Sequence, residues 1–221
     1  MKKLTVFIFS LALAQSICFA QFSITGSAGL NVSKISSVIK SNAPSTSIEN
    51  INSSFTPFYF AEIRPTYRFG AHWSASLGAQ YSVKGYNVKA NNSLVALSYI
   101  DLLPTAEYRF NKYLSVFAGF NIGYLSSEKE LLDGKWISLP QNPFFEKTDF
   151  GGLLGVRAYY KNVCFNLHFN RSITPIKSLG FKYVTFTNGG GFVETGTENV
   201  YNQNFQLGVG YIFNFESDKK M

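Results

Sequence analysis

Four segments of the chain alternate apolar and polar residues up to a tight turn or the chain end, and each closes on an aromatic residue. These aromatics are Phe69, Phe110, Tyr160 and Phe215. Alternation with a period of two gives a β-strand one apolar and one polar face. Evenly spaced strands with aromatics at a constant depth are typical of a membrane-spanning β-barrel, because a bilayer tolerates no open sheet edge.

The alternation predicts eight strands, of which the first is the most regular: Phe22, Ile24 and Leu30 fall on one face, and Ser23 and Asn31 on the other. The predicted strands cover residues 22–33, 58–69, 73–84, 99–110, 114–124, 149–160, 163–170 and 205–215. Pro65 cannot donate to a sheet ladder, so we expect a bulge in the second strand.

The lengths of the connections predict an orientation. Residues 34–56, 127–147 and 174–203 form long polar connections and residues 87–94 a shorter one, whereas the turns at 70–72, 111–112 and 161–162 are very short. Bacterial outer-membrane barrels have short periplasmic turns and longer outer loops. We therefore predict an all-β, eight-stranded antiparallel up-and-down transmembrane barrel, with the four aromatics in a periplasmic girdle.

The first twenty residues are typical of a cleavable secretory signal peptide. Lys2 and Lys3 precede an apolar stretch at residues 4–14, and small residues lead to a cleavage site after Ala20. A lipoprotein signal at Cys18 is the alternative, although its flanking residues match poorly. The predicted organisation is a signal peptide at 1–20, an outer-membrane barrel domain at 21–215 and a short polar tail at 216–221, which places the protein in the outer membrane.

Composition separates a membrane barrel from a soluble, lipocalin-like one. Aromatic residues make up 17% of the chain and charged residues only 15%. The polar face of the strands consists mostly of Ser, Gly, Asn and Thr, which fit the narrow interior of an eight-stranded barrel. After cleavage Cys164 would be the only cysteine, so no internal disulfide is expected. The net charge of +7 would fall to +5 without Lys2 and Lys3, an excess that is spread along the sequence.

Ten ionisable residues are predicted to point into the barrel lumen. They are Glu62, Arg64, Arg68, Lys84, Asp101, Glu107, Arg109, Asp149, Arg157 and His168. They could fill the lumen as a network of mixed sign, because buried charges are tolerated when they are paired and hydrogen-bonded. Alternatively they could line an ion path, or Arg68, Arg109 and Arg157 could hold an acidic group near the periplasmic end.

No motif indicates catalysis, a cofactor, a metal or nucleic-acid binding. His72 and His168 are the only histidines, and no sequence pattern brings either to a nucleophile. Cys164 and His168 supply two ligands, whereas a closed zinc site needs four. The glycines at 189–191 lack the strand-to-helix context of a phosphate loop. We expect no enzyme activity, no cofactor, no metal and no nucleic-acid partner.

Four motifs occur together along the chain. They are the Gly-Leu-Asn opening at residues 26–33, the Tyr-Ile-Asp-Leu-Leu-Pro strand at 98–104, and the strands at 118–125 and 205–213. Together they resemble the PorT-like outer-membrane β-barrel family of Bacteroidetes. The resemblance implies the fold and the location. The family's role in protein secretion cannot be assigned to particular residues here.

Two classes of function fit the sequence. The first is a structural or interaction protein that supports secretion or envelope integrity, with envelope or secretion proteins as partners. The second is a small channel or a lipid-acting barrel. In both, the expected surroundings are outer-membrane lipid and lipopolysaccharide.

Overall fold

The computed structural model describes residues 22–41, 53–88, 93–132, 134–139, 145–187 and 190–215, so the predicted signal peptide and tail lie outside it. The described residues form antiparallel strands joined by turns. The strands are β1 (Phe22–Ser41), β2 (Ser53–Ser54), β3 (Thr56–Arg68), β4 (Trp73–Val88), β5 (Ser93–Arg109), β6 (Leu114–Leu132), β7 (Lys135–Ser138), β8 (Thr148–Tyr160), β9 (Val163–Ser172), β10 (Lys177–Thr187) and β11 (Gly190–Asn214).

Eight of these strands close into a ring. The order is β1-β3-β4-β5-β6-β8-β9-β11, and β11 pairs back onto β1 from Ser23↔Asn214 to Ser41↔Gly196. The short strands β2 and β7 pair with β4 and β6, and β10 pairs with the first part of β11. The predicted eight-stranded barrel is confirmed. Within the described ranges no helix is long and apolar enough to cross a membrane.

Over the part of the barrel nearer the short turns, neighbouring residues on a strand lie in opposite environments. In β11 the side chain of Leu207 is 58% exposed, whereas Gln206 is 1% exposed. In β3 Ile63 is exposed and Glu62 is buried. A shift of one residue would exchange such pairs, so the exposed apolar residues form an outer belt and the polar residues face the interior, where a few apolar side chains join them.

The strands extend well beyond their predicted outer ends, and the predicted long loops at 34–56, 127–147 and 174–203 were wrong over much of their length. β1 continues to Ser41, β6 continues to Leu132, and β10 with β11 forms a paired hairpin inside the predicted loop at 174–203. In these extensions the inward positions are also apolar: Ile35, Tyr86, Val95, Leu97 and Val200 belong to one buried hydrophobic cluster. The period-2 signal is therefore lost although the backbone ladder continues.

The bulge predicted at Pro65 was also wrong. Pairing of β3 with β4 lacks partners for Arg64 and Pro65, but the register is the same on both sides of this gap, from Ile63↔Ala79 to Thr66↔Ser76. The missing amide of proline is thus absorbed without an extra residue. The register shift lies elsewhere, between β5 and β6 at Ser98/Tyr99.

Candidate functional site

The outer half of the lumen is closed by an ionic cluster around Lys84. The Lys84 Nζ lies 3.0 Å from Asp101 Oδ1 on β5 and 3.2 Å from Asp149 Oδ2 on β8, and it sits 4.4 Å above the ring of Tyr99. Asn202 on β11 donates to Asp149 at 3.0 Å. We call Lys84, Asp101, Asp149 and Asn202 the outer cluster. It joins four strands around the ring, so it spans the lumen.

A second group of charges lies nearer the short turns. Arg64 Nε donates to Glu62 Oε1 at 2.6 Å, and Arg157 forms an ion pair with Glu107. Tyr159 donates its hydroxyl to the other oxygen of Glu107. We call Glu62, Arg64, Glu107 and Arg157 the inner cluster. Each acid in it has a buried guanidinium partner, which is the condition for a charge to be tolerated away from water.

Apolar side chains fill the space between these clusters. Arg64 and Arg157 stack over the ring of Phe117, with guanidinium carbons 5.5 and 4.6 Å from its centroid. Phe117 packs with Leu103 and Leu153 in a buried cluster inside the barrel. Across the lumen, Gln80 donates to Gln206 at 2.8 Å.

Two lumen glycines make room for these rings. A Cβ atom added at Gly155 would lie 2.6 Å from Phe117 Cζ, and one at Gly208 would lie 2.6 Å from Phe60 Cζ. Real Cβ atoms do not approach so closely, so the glycines and phenylalanines are matched in shape. Glycines at inward positions, opposite an inward aromatic residue, are the sequence feature that could have predicted this packing.

The ten predicted site residues separate into two groups. Eight are buried in the lumen: Glu62, Arg64, Lys84, Asp101, Glu107, Asp149, Arg157 and His168. His168 packs edge-on against Phe117, with ring centroids 5.8 Å apart, and belongs to neither ionic cluster. Arg68 and Arg109 instead lie at the periplasmic mouth of the barrel, where a cavity of about 130 Å³ opens below the inner cluster.

The structure adds residues that the sequence did not single out as part of the site. Asn202 fell inside a predicted loop, so its place in the lumen was hidden. Tyr159 has the same strand parity as Arg157, and that parity was the available signal. Lys112 and Lys161, in the short turns, line the mouth cavity together with Arg68 and Arg109.

No metal-binding chemistry emerges from this arrangement. Cys164 is a free, buried thiol. The part of the chain that the structure describes contains no group of three or more His, Cys, Asp or Glu side chains that could hold a metal ion. Among the described residues the lumen holds ion pairs and packed side chains, and five cations line the mouth cavity together.

Comparison with known proteins identifies the class. Residues 14–178 match the family described as "Outer membrane protein beta-barrel domain". The match covers most of the chain, so the protein belongs to this family. The protein is accordingly an integral protein of the outer membrane, as predicted. No curated protein matches the chain.

Solved structures of outer-membrane proteins resemble the chain at low identity. Ail, the attachment invasion locus protein of Yersinia pestis, is 14% identical with a TM-score of 0.47, covering 87% of this chain and 99% of its own. OprG from Pseudomonas aeruginosa is 17% identical with a TM-score of 0.44, covering 89% and 98%. Neisserial surface protein A is 14% identical with a TM-score of 0.44, covering 86% and 96%.

Proposed function

We propose that the protein is a closed, non-conducting outer-membrane barrel with a structural or interaction role in the envelope. One observation carries this proposal: Lys84 on β4 bridges Asp101 on β5 and Asp149 on β8 across the lumen, and all three side chains are almost completely buried. An ion path needs charges that are hydrated and can exchange partners. These charges are fixed to one another.

Closure at more than one depth supports the same conclusion. Below the outer cluster, Gln80 and Gln206 join β4 to β11, and the rings of Phe60 and Phe117 occupy the central space. Below these, the inner cluster joins β5 to β8 through Glu107 and Arg157. Opening a channel would require all of these layers to separate together.

An interaction role is supported by what the barrel presents outside the bilayer. The outer extensions carry exposed apolar side chains, including Trp136 and Ile137 on β7. In this proposal the apolar belt contacts outer-membrane lipid and lipopolysaccharide, and the extensions or the periplasmic end contact envelope or secretion proteins. No catalytic role is proposed. The proposal also includes the finer resemblance to PorT-like proteins of Bacteroidetes and a role in supporting secretion. It includes the division of the chain into a signal peptide at 1–20, a barrel domain at 21–215 and a polar tail at 216–221.

Planar-bilayer recording tests closure directly. The wild-type barrel is expected to insert without steady conductance. The double variant Lys84→Ala with Arg157→Ala, which removes a cation from each ionic cluster, is expected to leak, and that leak shows that this barrel can insert under the recording conditions. Heat-modifiable mobility on a gel verifies that both proteins are folded. Steady conductance of the wild type would contradict the proposal and favour the small-channel alternative.

A further inference from the structure

The periplasmic mouth gathers most of the net charge of the exported chain. Without residues 1–20 the chain has eighteen basic and thirteen acidic residues, a formal excess of five. The mouth cavity is lined by five cations and one acid, an excess of four: Arg68, Arg109, Lys112, Arg157, Lys161 and Glu107. These cations are far apart in sequence, and the short turns bring them to one end of the barrel.

The single acid does not neutralise this group. Both oxygens of Glu107 already accept hydrogen bonds, one from Arg157 and the other from Tyr159. Arg109 Nη2 stands 3.9 Å from Glu107, and its side chain is 27% exposed while it stacks 4.1 Å above the ring of Tyr159. Arg68, Lys112 and Lys161 form no ion pair with any residue that the structure describes. Three of the five cations thus have no acidic partner among the described residues, and Arg109 has only a long, partly exposed contact with Glu107.

The backbone at Lys161 fixes the place of this cation in the turn between β8 and β9. Lys161 has a φ of 53°, and it is the only non-glycine residue with positive φ in the described part of the chain. Glycine or asparagine would take this left-handed conformation with less strain. The two-residue turn between β8 and β9 requires such a conformation, and here it presents a lysine at the edge of the cavity.

We infer that this mouth is a docking site for an acidic peptide segment of a periplasmic protein. Guanidinium groups suit carboxylates because they donate in pairs. Several cations from different strands and turns call for negative charges at several points of the mouth, which a run of Asp and Glu supplies along its length and one compact anion does not. The inference rests on the proposed interaction role and names the chemistry of the partner.

The position of the cavity favours a soluble partner over a lipid headgroup. Its walls include Ser23, Thr25 and Thr66, which occupy lumen-facing positions of β1 and β3. The cavity therefore opens along the barrel axis, with Arg68 and Arg109 among its lining residues. The ammonium groups of Lys112 and Lys161 lie at its edge, 4.9 and 5.7 Å from the ring centroids of Tyr113 and Tyr160. A phospholipid phosphate lies outside the barrel and would have to cross this edge to reach Arg68 or Arg109.

Binding of fluorescent hexaglutamate to the full barrel in neutral phosphatidylcholine nanodiscs tests the inference. We expect saturable binding that weakens with salt, as charge pairing requires. The triple variant Arg68→Gln/Lys112→Gln/Lys161→Gln should lose at least tenfold in affinity. The matched variant Lys129→Gln/Lys135→Gln/Lys182→Gln removes three exposed cations from the outer end and should bind like wild type.

Each of the other outcomes would overturn the inference. Absent binding, or an equal loss in the outer-end variant, would mean that the mouth has no special affinity. Competition by inorganic phosphate at equal charge concentration would indicate a small-anion site, and loss of binding in nanodiscs with phosphatidylglycerol would indicate a headgroup. A tenfold gain on Glu216→Gln/Asp218→Asn would indicate that the chain's own acidic residues occupy the mouth. Silence in planar bilayers would leave the closed barrel standing in every one of these cases.

Discussion

The two ends of the lumen differ in whether their cations are buried and paired with acids. In the outer cluster one lysine is enclosed by two aspartates and an asparagine, and Lys84 is 1% exposed. At the periplasmic mouth Arg68, Lys112 and Lys161 are exposed and have no acidic partner among the described residues. The buried cation of the outer cluster thus stabilises the fold, whereas the exposed cations of the mouth remain available for binding.

The difference follows from the cost of burial. A buried ion must be compensated by partners in good geometry, and removing one partner leaves the other charge exposed to a low dielectric. A solvated cation at a rim costs little to keep and little to lose. Stability measurements should therefore be sensitive to the outer cluster and almost insensitive to the mouth.

The largest effect is expected for Lys84→Met. This change leaves Asp101 and Asp149 buried together without their cation, and it should lower the free energy of unfolding by about 3–5 kcal/mol. Urea unfolding of the barrel in lipid, followed by the fluorescence of Trp73 and Trp136, measures it. A loss below about 1 kcal/mol would break the comparison between the two ends.

A matched control shows whether the cause is the unpaired acids. Adding Asp101→Asn and Asp149→Asn to Lys84→Met removes all three charges while keeping similar shapes. At least half of the lost stability should return. If the triple variant is no more stable than Lys84→Met, lost packing of the lysine stem over Tyr99 is the better explanation.

The lipid-facing surface is a third environment for a cation, besides the buried outer cluster and the exposed mouth. Leu207 lies in the exposed apolar belt of β11, and Leu207→Arg should cost about 2–4 kcal/mol in lipid. The same unfolding assay applies, with Leu207→Met as an apolar control that should stay within about 1.5 kcal/mol of wild type. Equal stability of Leu207→Arg and Leu207→Met would refute the assignment of this face to lipid.

Lys161→Gly should make the protein more stable. Glycine relieves the left-handed backbone at the β8–β9 turn, and the free energy of unfolding should rise by up to about 1 kcal/mol. Thermal unfolding in detergent compares this variant with Lys161→Gln, which removes the same charge and keeps the strain. A glycine variant less stable than the glutamine variant would show that the φ of 53° carries no strain.

The smallest effect is expected for Arg68→Gln with Lys112→Gln. Neither cation has an ion pair among the described residues, so the free energy of unfolding should stay within about 0.5 kcal/mol of wild type. Urea midpoints and slopes of the two proteins should coincide. A loss as large as that of Lys84→Met would mean that the mouth is structural, and the contrast between the two ends would disappear.

The face of each strand could be predicted from the sequence because the bilayer enforces a strict period of two. Leu207 against Gln206 and Ile63 against Glu62 have the predicted sides. The same rule gives the ring of eight strands, since alternation and short turns repeat together. Outside the bilayer the rule does not apply, and the extensions of β1, β6 and β11 were therefore taken for loops.

The grouping of charges in space could not be predicted by the same means. Arg68, Arg109 and Lys161 are spread through the sequence, and only closure of the ring shows that their turns meet at one end. Pairing inside the lumen was equally hidden, because it depends on depth as well as on parity. Asn202 and Asp149 meet at 3.0 Å although one was taken for a loop residue.

Closure between β1 and β11 has a consequence for how the protein is made. The seam joins Ser23 to Asn214, so the first and last strands of the described chain depend on each other. Contacts between distant parts of a sequence are slow to form, because the entropy of loop closure is lost before the contact is gained. Until β11 has been delivered, β1 keeps an unpaired edge that can add strands from other chains. Biogenesis therefore has to shield the first strand for as long as synthesis and export of the rest continue.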